Sequence, residues 1–152
     1  MNRKPLLALA ALTLAGAAQA ATYNFSGSFD TAPGTTVLNG SFSFDDAVVS
    51  AGGFDGDFDL TALSFNFQGQ AYTLAQATAP SVKFEAGTLT GPNALFTTQG
   101  GGSLELQSFF GSANFTYQVN GADNLGTLTI GAVPEPESYA LMLAGLVIVD
   151  RM

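Results

Sequence analysis

The residues best placed to do chemistry are three aspartates at alternate positions, Asp55, Asp57 and Asp59, in a glycine-rich segment. Closely spaced carboxylate oxygens are ligands that calcium prefers. In a calcium loop of the EF-hand type, however, Leu60 would stand where glycine is required and Asn66 where a bidentate glutamate is required. A strand entry whose aspartates face solvent explains the same alternation without a metal. Calcium is therefore only a weak candidate, and no cofactor is predicted.

Other catalytic and metal chemistry is restricted by what the chain lacks. Without His or Cys it has no Ser-His-Asp triad, no Cys-His pair and none of the common zinc sites. Lys83 lies in the strand-like segment 81–84, which lacks the Ser-x-x-Lys spacing of a helical dyad. No spacing singles out two carboxylates as a glycosidase pair, and the glycine-rich segment 99–103 precedes a strand instead of a phosphate-binding helix. We therefore predict that the protein is not an enzyme.

The charge of the central part of the chain excludes two classes of partner. Between residues 21 and 132, Lys83 is the only basic residue and stands against nine acidic residues, a balance of −8. Nucleic-acid backbones and anionic lipid headgroups are bound by clustered Lys and Arg. The sequence thus predicts no nucleic-acid binding and transient membrane association at most. The nine acidic residues are Asp30, Asp45, Asp46, Asp55, Asp57, Asp59, Glu85, Glu105 and Asp123.

The first twenty residues have the order of a secretion signal. Two basic residues at positions 3 and 4 precede an uncharged, largely apolar run over residues 6–17. Ala18 and Ala20 then supply the small side chains that signal peptidase accepts, which predicts cleavage before Ala21. The sequence predicts a signal peptide over residues 1–20, signal peptidase as a partner, and an exported body over residues 21–132.

Apolar residues in this body recur at every second position, as in strands with one dry and one wet face. Residues 23–29 and 38–44 show this alternation, with a turn signal at 32–34 between them. Over residues 58–67 the apolar residues change from even-numbered to odd-numbered positions, which predicts a β-bulge near Ala62. Further strands are predicted at 71–75, 82–84, 87–90, 104–109, 114–119 and 125–130.

These strands number about nine, and no segment of the body has a convincing amphipathic helical period. Short strands at regular spacing predict an all-β fold, with an antiparallel β-sandwich or barrel-like body. An N-terminal signal helix and a short C-terminal apolar helix would flank this body. The pattern does not choose between sandwich and barrel.

Aromatic residues have two interpretations, because exposed rings on a sheet can stack on sugars. The chain has 13 Phe and no Trp, and Phe without a polar group prefers burial. About four in five of the Phe are expected in the core. Tyr23, Tyr72 and Tyr117 are the better candidates for an exposed aromatic contact.

The C-terminal segment carries a short motif, Val133-Pro134-Glu135-Pro136, followed by an apolar run over residues 139–149 and by Asp150-Arg151-Met152. This order resembles the PEP-CTERM sorting signal of Gram-negative bacteria. The resemblance implies a provisional membrane anchor over residues 133–152, recognised at Pro134-Glu135-Pro136 by a processing enzyme of the exosortase type. It also implies an association with exopolysaccharide and biofilm.

This tail is shorter than the family pattern. As a helix, the run 139–149 would be roughly 16 Å long, against a hydrocarbon core of about 30 Å. Arg151 stands alone where the family has a basic cluster. The resemblance implies an exported, noncatalytic protein of the cell envelope or extracellular matrix. The alternative is a secreted carbohydrate- or calcium-binding β-module.

Overall fold

The computed structural model describes residues 20–132. The predicted signal helix and C-terminal helix therefore lie outside the described residues. The body contains ten strands, a six-residue helix and one 3₁₀ turn. In chain order these are β1 (Ala20–Phe29), β2 (Leu38–Asp45), α1 (Asp46–Ala51), β3 (Gly56–Phe58), β4 (Leu60–Phe67), β5 (Gln70–Thr73), the 3₁₀ turn (Leu74–Gln76), β6 (Thr78–Glu85), β7 (Thr88–Thr97), β8 (Ser103–Phe109), β9 (Ser112–Val119) and β10 (Ala122–Ala132).

All ten strands belong to one antiparallel sheet with the order β3-β6-β7-β8-β9-β10-β1-β2-β4-β5. We call β10, β1, β2, β4 and β5 the β1 half, and the other five strands the β7 half. The two halves face each other, because the ring centroids of Phe65 and Phe96 lie 5.1 Å apart and those of Phe44 and Phe84 lie 5.4 Å apart. The all-β prediction is confirmed. The sheet is open at β3 and β5, and its two facing halves are sandwich-like.

Phenylalanine is the most frequent residue type in the interior between the halves, with eight of the 19 buried hydrophobic residues. Burying one such ring stabilises a fold by roughly 1.5 to 3 kcal/mol relative to exposing it. Phe29 and Phe58 are partly buried and pack against this core. Together with eight buried Phe, these two residues account for ten of the 13 Phe of the chain. This confirms the prediction that about four in five of the Phe lie in the core. The eight are Phe25, Phe42, Phe44, Phe65, Phe67, Phe84, Phe96 and Phe115.

The sheet bends where β9, β10 and β1 meet, and Phe115 occupies the inside of the bend. Its ring lies over Gly27 and Gly126, at the positions where side chains of those two residues would stand. The same ring contacts Phe29 and Phe67, with centroid distances of 5.3 and 6.1 Å. The missing side chains thus let one aromatic ring join three strands of the core.

The predicted strand over residues 58–67 is in fact two strands. β3 pairs with β6 in the β7 half, whereas β4 pairs with β2 in the β1 half, so the chain crosses between the halves at Asp59. The register of β4 on β2 shifts between Ser43 and Phe44, which face Ala62 and Leu60. The predicted bulge near Ala62 is confirmed.

The predicted strand over 87–90 is too short, because β7 continues through Gly91 and Pro92. Proline has no N–H to give to a ladder, and side chains make up the pairing here. Asn93 accepts the backbone N–H of Ser108 at 2.7 Å, and the Ser108 hydroxyl donates to the Pro92 carbonyl at 2.9 Å. Gly91 has a φ of 149°, where side chains are disfavoured. Such replacements cannot be recognised in sequence, where Gly-Pro indicates a break.

A short helix, α1, lies in the otherwise all-β body and was not among the elements predicted from the sequence. Asp45 caps this helix by accepting the Ala47 N–H at 2.9 Å. Only Val49 is buried along its length, so no helical period is visible in the sequence. Within residues 20–132 no helix has the length and apolar character needed to cross a bilayer.

The strand directions give the body two distinct ends. Ala20 pairs with Asp45 and Tyr23 pairs with Ala132, so the chain enters and leaves at the same end, which we call the terminal end. The opposite end carries the connections 30–37, 68–69, 98–102 and 120–121. Both predicted processing segments are therefore attached at the terminal end.

The bend predicts a large effect of Gly126→Ala. A methyl group there would overlap the Phe115 ring and lie 2.7 Å from the carbonyl oxygen of Ser28. Overpacking of this kind costs about 1 to 3 kcal/mol of unfolding free energy. Gly131→Ala in the same strand is the control, because no atom lies within 4 Å of its added methyl. Urea unfolding that gives equal midpoints for the two variants would contradict this account of the bend.

Candidate functional site

A shallow groove with a volume of about 710 Å³ crosses the outer face of the β1 half. The groove results from the alternation of inward and outward side chains along the strands. Between the Phe residues of β1, β2 and β4 that point inward, the outward residues are Asn and Ser. Neighbouring strands are roughly 4.8 Å apart, so five strands give the groove a length of roughly 19 Å. The groove is thus long enough for several consecutive units of a polymer.

The lining side chains form two rows that run across the strands, each row following the strand register. In the first row, Asn39 is the central residue, and in the second row Ser41 is central. Among residues 20–132, none of those that line the groove is charged. The first row is Thr129, Ser26, Asn39, Asn66 and Ala71, and the second is Gly131, Asn24, Ser41, Ser64 and Thr73.

Among the described residues, the amides of the groove asparagines are free, unlike those of Asn93 and Asn124. Asn93 and Asn124 use their side chains to bond the backbone of other strands, at 2.7 and 3.1 Å. Among residues 20–132, the amides of Asn24, Asn39 and Asn66 make no such hydrogen bond and are exposed. An amide can both donate and accept. These groups therefore offer hydrogen bonds to a neutral, hydroxyl-rich ligand.

The aspartates considered for calcium lie away from the groove, around β3 near the terminal end. Asp55 accepts the N–H of Ala86 at 3.1 Å, and Asp57 forms an exposed ion pair with Lys83 at 3.3 Å. Asp59 is exposed at the crossing between β3 and β4. In the described part of the chain, no three acidic residues come together in a way that could hold a metal ion.

Glu85 is a carboxylate with several defined partners. The hydroxyl of Thr90 donates to it at 2.6 Å, and the N–H groups of Gly111 and Phe110 donate at 2.9 and 3.0 Å. These hydrogen bonds, that of Thr90 first, together with the charge of Lys83, hold the pKa of Glu85 below its ordinary value. A lowered pKa keeps the group ionised, which suits its contacts with the β8–β9 turn.

The expected exposure of tyrosines is wrong for Tyr72, which is 4% exposed. Burial, and to a lesser extent Tyr117, raises the pKa of its phenol. Tyr23 and Tyr117 are partly buried and pack against the core. The most exposed aromatic residue is instead Phe110, at 88%, in the turn between β8 and β9.

The residues predicted for processing lie at or beyond the limits of the described chain. Ala20 is the first residue of β1, and cleavage before Ala21 would shorten that strand by one residue. Ala18 and the motif Val133-Pro134-Glu135-Pro136 lie outside the described residues.

The groove residues were not among the site residues predicted from the sequence. Their outward position follows from the alternation, so a polar, uncharged wet face was visible at Asn24, Asn39 and Asn66. The order of the strands was not visible, and only that order places the three side chains beside one another.

Comparisons of the chain with protein-family models, curated proteins and solved structures gave no match. The arrangement of the groove residues is therefore the direct basis for assigning a function.

The partners of Glu85 predict a loss of stability in acid. Because its pKa is lowered by folding, its contribution is present above the ordinary value of 4.5 and is lost as the pH falls through the lowered value. We expect urea midpoints measured from about pH 7 to about pH 3 to fall more steeply below pH 4.5 in the natural protein than in Glu85→Gln. Glu105→Gln, at an exposed position of β8, serves as control. Parallel curves for all three proteins would be inconsistent with this role.

Proposed function

We propose that the chain is an exported, noncatalytic protein of the cell envelope or extracellular matrix of a Gram-negative bacterium, and that its groove binds a neutral polysaccharide. The observation that carries the binding proposal is the double row of uncharged amides and hydroxyls in a body with a balance of −8. A surface of that charge repels acidic polymers. The groove is a broad recess whose hydrogen-bonding groups, among the described residues, are all neutral.

The shape of the groove favours a polymer over a small molecule. It is shallow and runs across five strands, so each sugar unit meets only a few side chains. A net hydrogen bond contributes about 0.5 to 1.5 kcal/mol, and several consecutive units are needed for useful affinity. Many displayed copies on one surface would add avidity. This agrees with a matrix protein that holds a polysaccharide without altering it.

The export part of the proposal rests on residues 1–20 and on the resemblance at Val133-Pro134-Glu135-Pro136. Signal peptidase would remove the leader, and an exosortase-type enzyme would process the tail. Because both segments leave from the terminal end, a body held by its tail keeps its opposite end free. The calcium-binding alternative has less support, since Asp55 and Asp57 are engaged with Ala86 and Lys83.

The groove predicts that the double variant Asn39→Ala/Asn66→Ala loses affinity for neutral polysaccharide. Two lost hydrogen bonds correspond to binding weaker by about tenfold. Affinity electrophoresis in gels that contain neutral or acidic polysaccharides, with and without calcium, would measure this. The matched control is Gln118→Ala, an exposed amide on the β7 half. Unchanged retention of the double variant, or preference for acidic polymers, would refute the assignment of the groove.

The sorting motif predicts the termini of the mature protein. In a native host, mass spectrometry should find a chain that begins at Ala21 and lacks the residues after the Pro-Glu-Pro motif. Pro134→Ala/Pro136→Ala should retain the tail, whereas Pro33→Ala, in the exposed β1–β2 connection, should be processed normally. Recovery of the natural chain from soluble periplasm with Met152 intact would count against sorting.

A further inference from the structure

A small pocket with a volume of about 180 Å³ lies at the opposite end of the body, between the β4–β5 turn and the β7–β8 turn. We call it the tyrosine pocket, after Tyr72 and Tyr117 in its wall. Gln70 and Gln99 also line it, and its inner wall includes Phe67, which is 2% exposed. The pocket is therefore bounded on its inner side by the buried core.

The tyrosine pocket and the groove are linked by the residues that line a third recess. A recess of about 350 Å³ lies between them and shares Asn39 and Asn66 with the groove. The same recess shares Gln68 and Gly69 with the tyrosine pocket. A chain lying in the groove can therefore continue over the β4–β5 turn and end between the two tyrosines.

The chemistry of the pocket suits a single neutral sugar ring. Its polar groups are amides, phenols and the hydroxyl of Thr98, and none of the described residues that line it is charged. The Thr98 hydroxyl oxygen is buried and has no hydrogen-bond partner within the described residues. Tyr117 packs edge-on against Phe67 at 5.0 Å, so its ring is held in place. Tyrosine offers an apolar face and a polar tip, as a sugar ring requires.

The size of the pocket limits what it can hold. Sites for drug-sized ligands have volumes of roughly 300 to 1,000 Å³, so the tyrosine pocket has space for one ring and not for several. We propose that it binds the terminal sugar of the neutral polysaccharide whose chain lies in the groove. This inference rests on the proposed function of the groove, and it adds recognition of a chain end.

The test compares short and long ligands of the same sugar on the intact protein. The probes are linear neutral hexasaccharides of glucose, mannose, galactose and xylose and the corresponding polymers, in which chain ends are scarce. The variant is Gln70→Ala/Gln99→Ala, because both amides are exposed and their loss leaves the core intact. Isothermal titration gives affinities, and tyrosine fluorescence reports on the pocket because the chain has no Trp.

We expect the pocket variant to bind the preferred hexasaccharide about tenfold more weakly, from two lost hydrogen bonds, with polymer affinity changed by less than about twofold. Tyr117→Phe, which keeps the ring, should show a weaker loss of the same kind. Asn39→Ala/Asn66→Ala should weaken the binding of both the hexasaccharide and the polymer. Gln118→Ala should weaken the binding of neither.

Two results would overturn the inference in distinguishable ways. If the pocket variant binds both ligands like the natural protein while the groove variant loses both, the terminal-sugar site is wrong and the groove stands. If the groove variant binds both ligands normally, the proposed function fails, and the inference fails with it.

Discussion

The packing of Phe115 against Gly27 and Gly126 is the contact on which the shape of the molecule depends. A ten-stranded sheet must bury one face, and here it does so by bending until its halves meet. The ring at the bend takes the volume that two side chains would otherwise fill. From there the aromatic contacts continue through Phe67 to Tyr117 and close the opposite end.

Placing the Phe rings inside leaves the outer face of the β1 half to short polar residues. Because inward and outward residues alternate along β1, β2 and residues 63–67 of β4, the outward Asn and Ser stand in register across the strands. The groove is thus a product of the same alternation that builds the core. The acidic residues around α1 and β3, including Asp46 and Asp59, lie outside its lining, which keeps the groove neutral although the body carries a net negative charge.

The sequence predicted the local features of this molecule but not the long-range ones. The alternation around Phe25 and Phe42 predicted strands and core correctly, and the parity switch located the bulge near Ala62. Long-range pairing was not predictable, because β3 and β4 are adjacent in sequence yet lie in different halves. Likewise, β7 continues through Pro92 because the Asn93 side chain accepts a backbone N–H of the neighbouring strand. The groove needed the strand order. The leader and the sorting tail stay predictions, based on residues 1–20 and 133–152.

The position of β10 has a mechanical consequence. It carries the connection to the tail, and it lies inside the sheet, paired with β1 on one side and β9 on the other. A pull on Ala132 acts along the strand axis, so the bonds of both ladders bear the load together instead of opening one after another. If a ligand in the groove and a tail at the cell both held the body, tension would load the ladders on both sides of β10 in shear.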